Sequence, residues 1–328
     1  MRIVITGGAG FIGKKLAQAL LTRGTLTDGQ GRVQTLTEIV LFDVVEPEGL
    51  LHDDPRLLVR TGDIGDAGQV RELIGRETGG VFHLAAIVSA NAEEDFDLGM
   101  RVNLDGTRHV LEACRALGTC PKLVFASSVA VYGAVEGMPD DSTVLTPQTS
   151  YGAQKAIGEL LVNDYTRKGF IDGRALRLPT IVVRPGKPNK AASTFASSIL
   201  REPLAGQEAI CPVRPEAAMY VLSPRRVIQA LLHAFELPGD KLGQVRMLTL
   251  PGISVSVGEM ANALKRVAGE EVAARIRWEL DPTIQKIVSG WIPDIKADRA
   301  RALGFDSDRD MDEIVRAHIE DELAGHVA

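Results

Sequence analysis

A tyrosine and a lysine stand four residues apart in the segment Tyr151-Gly-Ala-Gln-Lys155. Residues i and i+4 of a helix lie one above the other on one face, so this spacing places a phenol beside an ammonium group. The positive charge favours the phenolate, and the pKa of the phenol should fall from about 10 towards neutral pH. The pair therefore predicts a general base, with an ordinary amphipathic helix as the alternative.

Two adjacent hydroxyl groups precede this pair in the chain. Ser127 and Ser128 follow an apolar run at residues 122–126 that predicts a strand. Ligands of parallel sheets bind at the carboxyl ends of the strands, so both hydroxyls are expected at the ligand-binding edge.

A glycine-rich turn, Thr-Gly-Gly-Ala-Gly-Phe-Ile-Gly, occupies residues 6–13. A predicted strand at 2–6 comes before it and a predicted helix at 11–23 comes after it, which is the context that a dinucleotide fingerprint requires. A tight turn that binds nothing is the alternative.

Each glycine of this turn has a physical reason. Gly7 permits the tight turn, Gly10 lets the backbone approach a pyrophosphate, and Gly13 lets the helix pack on the strand. The free N–H groups of the first helical residues, Phe11 and Ile12, then point at an anion. The turn therefore predicts a pyrophosphate site.

Two aspartates come after later predicted strands. Asp43 ends the strand at 38–43, where a carboxylate accepts both hydroxyls of an adenosine ribose and repels a 2′-phosphate, so NAD is expected over NADP. Asp43 lies 30 residues beyond Gly13 rather than the usual ~20, a spacing that an inserted surface loop at 25–37 explains. Asp63 and Ile64 are expected near the adenine, with a strand-end turn as the alternative for Asp63.

Short β-branched runs alternate with amphipathic segments through the first half of the chain, a pattern typical of a doubly wound parallel α/β sheet. The predicted strands lie at 2–6, 38–43, 57–60, 80–85, 122–126 and 174–178, and the predicted helices at 11–23, 66–77, 97–117 and 151–168. The fold class is therefore Rossmann-type, with function expected at the strand ends.

The regular alternation breaks after Arg184. We expect a nucleotide-binding domain at 1–183, to which 219–250 returns, and a smaller α/β substrate region at 184–328. Within that region we expect a helix near 191–201, a helix opened by Ser223-Pro224, and a capping box at Ser256–Glu259.

Composition excludes several classes of protein. The 328 residues carry a net charge of −6 with basic residues scattered along the chain, which argues against nucleic-acid binding. The longest uncharged apolar stretch is too short to span a membrane. Three unpaired cysteines, Cys114, Cys120 and Cys211, fit a reducing cytoplasm, and the histidines show no metal-ligand spacing.

The motifs occur together in an order that resembles the extended short-chain dehydrogenase/reductase superfamily, the NAD-dependent epimerase/dehydratase group. The resemblance covers about residues 1–185. It rests on the glycine turn, Asp43, Gly62-Asp63, His83-Leu-Ala-Ala, Val102-Asn-Leu-Asp-Gly-Thr107, the serine pair with Val131-Tyr-Gly, and Tyr151 with Lys155. An NAD-binding oxidoreductase that often dimerises through helices near 97–117 and 151–168 is implied.

The resemblance also implies a role for individual residues. Tyr151 exchanges the proton, Lys155 binds the nicotinamide ribose and tunes Tyr151, and Ser128 binds the reacting oxygen, with Ser127 as a second substrate contact. Asn103 is a catalytic and cofactor residue. Further cofactor contacts fall on Leu84, Ala85, Ala86 and Pro179.

The residues at the end of the fifth predicted strand narrow the choice of reaction. Sugar 4,6-dehydratases place acidic residues where this chain has Ser127-Ser-Val, so a dehydratase is not expected. The segment Arg177–Asn189 and the helix after it resemble the D-erythronate dehydrogenases, a branch that oxidises the C2 hydroxyl of a four-carbon sugar acid. The alternative is a nucleotide-sugar 4-epimerase.

A sugar acid needs a carboxylate clamp, and the guanidinium fork of Arg184 suits bidentate pairing. Asn189, Ser193 and Thr194 are candidate partners of the hydroxyl groups, while Lys187 and Lys190 either face solvent or bind a diphosphate. The chain length and stereochemistry of the acid stay open.

Overall fold

The structure is a computed structural model that describes residues 1–49, 54–186 and 192–328. The chain forms two compact units. The first unit comprises Met1–Val131, Pro147–Arg177 and Ile228–Leu248; the second comprises Tyr132–Thr146, Leu178–Val227 and Thr249–Ala328.

In the described ranges, the strands are β1 Arg2–Thr6, β2 Thr25–Thr27, β3 Val33–Thr35, β4 Glu38–Asp43, β5 Leu57–Thr61, β6 Thr78–His83, β7 Lys122–Ser128, β8 Asp172–Leu178, β9 Thr180–Ile181, β10 Ala209–Cys211, β11 Ala218–Leu222, β12 Met247–Thr249, β13 Ile253–Ser256 and β14 Ile276–Trp278. All six predicted strands are confirmed, with ends that shift by one to two residues.

The α-helices are α1 Phe11–Arg23, α2 Ala67–Leu73, α3 Ser89–Glu94, α4 Phe96–Gly99, α5 Gly106–Leu117, α6 Ser150–Arg167, α7 Thr194–Leu204, α8 Pro224–Glu236, α9 Gly239–Leu242, α10 Val257–Ala268, α11 Glu270–Ala273, α12 Pro282–Ser289, α13 Asp298–Ala302 and α14 Met311–Glu322. A π-helix spans Met100–Asp105 and a 3₁₀ turn spans Val129–Val131. The predicted helical stretch at 97–117 is confirmed, because α4, the π-helix and α5 follow one another without a break; the π-helical turn within it was not predicted.

The first unit is built on a seven-stranded sheet in the order β12-β8-β7-β6-β1-β4-β5. The strands from β7 to β5 pair in parallel, with β1 between β4 and β6. The chain leaves β1 towards β4 on one side and later returns to β6 on the other, which creates a crevice at the carboxyl end of β1. This arrangement confirms the Rossmann-type α/β fold class.

Apolar side chains of the strands fill the core beneath that crevice. Val4, Val40, Val81 and Leu123 come from four neighbouring strands and are fully buried against the helices that cover the sheet. Strands buried on both faces read as near-continuous apolar runs, which is why the sequence indicated them clearly.

Residues 25–37 are not the simple surface loop that we expected. They contain the antiparallel pair β2–β3, and Leu26 and Leu36 are buried. The backbone N–H of Thr27 donates to the Glu236 carboxylate at 3.0 Å, which ties the insertion to the end of α8. The polar composition of residues 25–37 gave no indication of this packing.

The second unit has its own core between α7, α10 and α14, where Phe195, Ile199, Met260, Leu264 and Ile314 meet. A three-stranded sheet in the order β13-β11-β9 and a parallel pair, β10–β14, complete this unit.

The units do not divide the chain at a single boundary between 183 and 184. Tyr132–Thr146 and Leu178–Val227 belong to the second unit, and Ile228–Leu248 belongs to the first. A segment that crosses between units leaves no composition shift in the sequence, so the expected boundaries differ from these.

The predicted helix starts agree with the structure better than the predicted domain boundaries do. Pro224 begins α8 and the Ser223 hydroxyl accepts from the N–H of Arg226 at 3.2 Å. The predicted helix near 191–201 corresponds to α7, which begins at Thr194. Ser256 caps α10, but the Glu259 carboxylate binds Arg266, so only half of the capping box forms.

Candidate active site

The glycine turn has the geometry that its sequence predicts. Gly7 has a φ of 71°, and a Cβ there would lie 2.7 Å from the Ala85 nitrogen. A Cβ on Gly13 would lie 2.5 Å from the Gly7 carbonyl oxygen, so the start of α1 packs directly on the turn. Side chains at either position would force the backbone apart.

The start of α1 is suited to an anion. Among the described residues, no side chain caps this terminus, which begins after Gly10, and its first turn carries no acidic group. The leading N–H groups of a helix carry partial positive charge and need a partner. Phe11 and Ile12 are half-buried at this terminus, where a phosphate would complete their hydrogen bonding.

A pocket of about 410 Å³ opens beside the turn. It is lined by Gly7, Gly10, Phe42, Asp43, Val44, Gly62, Asp63, Ile64, Leu84, Ala85, Ala86, Ile87, Leu98, Arg101 and Val102. Eight of the predicted cofactor residues thus surround one cavity. Its apolar walls suit the flat face of an adenine, and its carboxylates suit ribose hydroxyls.

Asp43 is held in place by one backbone N–H of the glycine turn and by that of the residue that follows it. One carboxylate oxygen accepts from the N–H of Ala9 at 3.0 Å and the other from the N–H of Val44 at 2.8 Å. Each oxygen keeps a further lone pair for a ribose hydroxyl. Despite the insertion, Asp43 lies beside the glycine turn and lines the same pocket.

Asp63 has a partner that the sequence did not reveal. Its carboxylate accepts from the Arg101 guanidinium and from the N–H of Gly65, and these contacts lower the pKa of Asp63, the Arg101 hydrogen bond most of all. Arg101 lies in the π-helix, 38 residues away in sequence, so no local pattern pointed to the pair.

Asn103 lies buried in the π-helix and links two elements around the pocket. Its side chain binds both backbone polar groups of Ile87 and also donates to the Gln154 side chain at 2.7 Å. Both N–H groups of its amide are therefore used inside the protein. The catalytic role that the resemblance implied stays a prediction, and the contacts favour a positioning role.

His83, which precedes the loop at Leu84, is a buried neutral side chain that bridges two hydroxyl groups. Its ring nitrogens contact the hydroxyls of Thr6 at 2.7 Å and Thr107 at 2.9 Å. Burial, with a smaller contribution from the Lys155 charge, lowers the pKa of His83 to about 3. The ring thus joins the end of β1 to α5 without carrying charge.

Tyr151 and Lys155 lie on α6, whose start is fixed from two sides. Thr149 accepts from the N–H of Gly152 at 3.1 Å, and the Glu93 carboxylate accepts from the N–H of Ser150 at 2.9 Å. These caps hold the helix turn that presents the half-buried phenol.

The ammonium group of Lys155 is buried beneath the phenol. Its Nζ lies 5.7 Å from the centre of the Tyr151 ring and 4.7 Å from that of Phe125, and it donates to the Ala126 carbonyl at 2.8 Å. Burial lowers the pKa of Lys155 to about 7, and the Glu159 charge opposes this effect. A phenol beside such a cation can serve as an acid–base group near neutral pH, and this role of Tyr151 stays a prediction.

The two serines at the end of β7 have different surroundings. Ser128 is half-buried, and its hydroxyl accepts from the N–H of Ala130 at 3.1 Å, which leaves the proton of that hydroxyl available to a ligand oxygen. Ser127 is buried and donates to the Glu159 carboxylate at 2.5 Å. Successive residues of a strand point to opposite faces, so these contacts favour a structural role for Ser127, and its predicted contact with the substrate stays a prediction.

Two further predicted residues, Arg184 and Pro179, belong to the second unit. The Arg184 guanidinium donates to the Ser193 hydroxyl at 2.7 Å, and its backbone N–H donates to the Ser197 hydroxyl at 3.0 Å. Pro179 is buried between β8 and β9. Asn189, with Lys187 and Lys190, lies outside the described residues.

The sequence reasoning missed Glu159 and Arg177, whose ion pair is buried in the first unit at 2.8 Å. A signal existed for Glu159, because residues 151, 155 and 159 succeed one another on the same helix face.

Two further classes of site are not indicated by the described part of the chain. Its His, Cys, Asp and Glu residues form no group of three or more that could hold a metal ion. None of the helices that it describes is long and apolar enough to cross a membrane.

A family model, the NAD dependent epimerase/dehydratase family, matches residues 3–233. Among curated proteins, the chain is 55% identical to a D-erythronate dehydrogenase of Cupriavidus necator, covering 98% of both chains. It is 43% identical to a D-erythronate dehydrogenase of Haemophilus influenzae, covering 98% of this chain and 99% of the relative.

Solved structures give the same picture of the fold. A crystal structure described as a nucleoside-diphosphate-sugar epimerase from Agrobacterium tumefaciens is 45% identical, with a TM-score of 0.94 and coverage of 100% of this chain and 96% of that one. An L-threonine 3-dehydrogenase from Trypanosoma brucei is 26% identical, with a TM-score of 0.86 and coverage of 100% and 99%.

Proposed function

The chain belongs to the NAD dependent epimerase/dehydratase family, and from this premise we propose that it oxidises the C2 hydroxyl of D-erythronate to give 2-oxo-D-erythronate. The observation that carries the proposal is the Tyr151–Lys155 pair on α6, in a chain similar along its full length to two D-erythronate dehydrogenases. We propose NAD as the nicotinamide cofactor, because Asp43 lines the pocket beside the glycine turn and a carboxylate there would bind the ribose hydroxyls and repel a 2′-phosphate.

The pocket residues fit this cofactor. The N–H groups at the start of α1 would hold the pyrophosphate, Asp43 would hold the adenosine ribose, and Leu84–Ala86 line the same pocket. When bound, the nicotinamide ring supplies a hydride acceptor.

The protein's own groups handle the proton. Ser128 donates a hydrogen bond to the C2 oxygen, and the Tyr151 phenolate accepts the C2 hydroxyl proton while the C2 hydrogen leaves as hydride. The C–O single bond becomes a carbonyl, so one hydride and one proton leave the substrate, which together amount to two electrons and two protons. The Lys155 ammonium stabilises the phenolate before the transfer.

Arg184 is proposed as the carboxylate clamp of the substrate. A guanidinium matches a carboxylate with two parallel hydrogen bonds, and the Ser193 contact pre-orients the group. We further propose that the protein works as a homodimer in the cytoplasm, where its three free cysteines stay reduced.

The test is NADH formation by the purified protein with NAD and a panel of C4 to C6 sugar acids. Turnover confined to D-erythronate or a close relative supports the proposal. UDP-glucose and UDP-galactose are included because of the similar Agrobacterium structure, and their interconversion without net NADH would make the protein an epimerase.

Three variants separate the roles within that assay. Tyr151→Phe should bind NADH normally and lose at least about a thousandfold in turnover, because it lacks the proton-exchanging oxygen. Arg184→Lys should raise the KM for the acid about tenfold without changing NADH binding, because the two-point fork is lost. Ser193→Ala, which keeps the guanidinium, should change the KM much less.

A further inference from the structure

Glu159 is fully buried in the first unit and is bound by two residues from different strands. Its Oε1 accepts from the Ser127 hydroxyl at 2.5 Å and from Arg177 Nε at 3.0 Å, and its Oε2 accepts from Arg177 Nη2 at 2.8 Å. Burying an ion pair costs free energy of solvation and stabilises a fold only weakly, so its placement calls for a further explanation.

The placement relates Glu159 directly to the reacting groups. Consecutive residues of β7 bind consecutive turns of α6: the Ala126 carbonyl binds Lys155, and the Ser127 hydroxyl binds Glu159. The next residue of β7 is Ser128, and the preceding turn of α6 carries Tyr151. Two cross-links therefore fix the register between the strand and helix that carry the reacting hydroxyls.

We propose that Glu159 is a positioning residue of the reaction. Its carboxylate, held by Ser127 and Arg177, keeps the Lys155 ammonium charged beneath Tyr151 and locks α6 on the end of β7. This inference rests on the proposed roles of Tyr151 and Lys155.

The surroundings of Lys155 make Glu159 its charge partner. From α6 it faces Tyr151 and Glu159; from β7 it faces the Phe125 ring and the Ala126 carbonyl; from β6 it faces His83. His83 is neutral, and Arg177 on β8 is turned towards the carboxylate of Glu159. Burial lowers the pKa of Lys155 and the Glu159 charge raises it.

These positions determine whether Glu159→Gln raises or lowers the pH at which Tyr151 ionises. Glu159→Gln removes the negative charge one helix turn from Lys155, so Lys155 loses its proton at lower pH. The phenol then lacks its neighbouring cation. This loss hinders ionisation of the phenol more than the loss of a carboxylate two turns away favours it. Tyr151 should therefore ionise at higher pH, by about one unit for charges at these separations.

The experiment monitors Tyr151 without turnover, by the ultraviolet absorbance of tyrosinate during a pH titration, with Tyr151→Phe as the blank. Glu159→Gln is compared with Ser127→Ala, which removes the hydroxyl and keeps the charge, and with Glu159→Asp, which keeps the charge. The pH dependence of turnover on the substrate identified above is recorded for each variant.

We expect Glu159→Gln to shift the Tyr151 titration and the acid limb of turnover upward by about one unit, with about a tenfold lower rate at pH 7 that recovers as the pH rises. Ser127→Ala and Glu159→Asp should keep the midpoint of the native protein. An equal loss of rate at every pH, with an unmoved titration, would overturn the proposal in favour of a structural role.

Glu159→Gln leaves Arg177 buried without its carboxylate partner, which destabilises the fold. The double variant Glu159→Gln with Arg177→Met avoids this problem. This variant should shift the titration in the same direction by a smaller amount, since the negative end of the removed pair lies nearer Lys155; a native titration would again overturn the proposal. Failure of the proposed function is separate, because it appears as full activity of Tyr151→Phe.

Discussion

Asn103 binds both backbone polar groups of Ile87, accepting from its N–H at 2.7 Å and donating to its carbonyl at 3.0 Å. The amide side chain of Asn103 thus pairs with the backbone of Ile87 as a neighbouring strand would. Because its second N–H donates to Gln154 on α6, Asn103 joins the loop that borders the pocket to the helix that carries Tyr151. Its influence on the ligand is exerted through that loop.

Asn103→Ala should therefore weaken both the fold and the pocket. Leaving buried backbone groups of Ile87 unpaired costs about 1–3 kcal/mol, measurable as a lower free energy of unfolding in urea. NADH affinity, measured by fluorescence titration, should fall about tenfold because the loop loses its anchor. Asn91→Ala, an exposed site on α3, is the matched control; equal behaviour of the two variants would contradict this role.

The glycine turn permits a test that separates folding from binding. A Cβ on Gly13 would press into the Gly7 carbonyl at 2.5 Å, whereas a Cβ on Gly10 meets only that carbonyl at 3.2 Å. Gly10 also has a φ of −66°, which alanine adopts readily. Gly10→Ala should thus melt within a few degrees of the native protein yet lose NADH binding at least about tenfold, since the methyl group meets the pyrophosphate. Gly13→Ala should lower the melting temperature itself, and the reverse ranking would refute this assignment.

Asp43 should determine the choice between the two nicotinamide dinucleotides. The native protein is expected to bind NADH more tightly than NADPH by about 100-fold or more, because a carboxylate faces the 2′ position. Asp43→Asn keeps the size of the side chain and one accepting oxygen and removes the negative charge, so the preference should fall at least about tenfold. Competition between the two dinucleotides in a fluorescence titration measures the ratio; an unchanged preference would show that another group sets it.

Much of the cofactor site was predictable because the glycine turn and Asp43 depend on local sequence. The turn spans eight residues, and a Cβ on Gly7, Gly8 or Gly13 would lie less than 3.0 Å from backbone atoms. The position of Asp43 is set by the end of β4. The spacing of Tyr151 and Lys155 likewise depends only on helix periodicity.

The contacts that could not be predicted join distant segments. Ser127 and Ser128 lie on opposite faces of β7. The partner of Ser127 is Glu159, which is 32 residues away in the sequence. Arg101 and Asp63 meet across 38 residues. Propensity and periodicity carry no information about such pairs, because the pairs arise only when helices pack on the sheet.

The face of α6 opposite the sheet supports the predicted dimer. Leu160 is 61% exposed and Ile157 is 39% exposed, one turn apart on a helix whose other side is buried. Burying them against a second copy removes apolar surface from water. Leu160→Arg should shift the protein from dimer to monomer in light scattering, while Ile210→Arg, at a comparably exposed position on β10, should leave the dimer intact. A native protein that is monomeric at micromolar concentration would contradict the prediction.

His83 should make the fold sensitive to acid. Its pKa is about 3 in the folded protein against an ordinary 6.5, so between these values the unfolded chain binds a proton that the folded protein does not. Stability from this group is complete above pH 6.5 and is lost as the pH falls, by about 3 kcal/mol at pH 4. His83→Gln loses the ring contacts with Thr6 and Thr107 and should be less stable at pH 7. It cannot take up the proton, however, so its deficit should shrink on acidification.

The free energy of unfolding in urea between pH 7 and pH 4 measures this difference. The exposed His326 provides the control, because His326→Gln should track the native protein in parallel over the whole range. A constant gap between His83→Gln and the native protein would mean that His83 is protonated in the folded state. In that case the two threonine hydroxyls would have to accept from a charged ring, and the buried link between β1 and α5 would be an ion rather than a neutral imidazole.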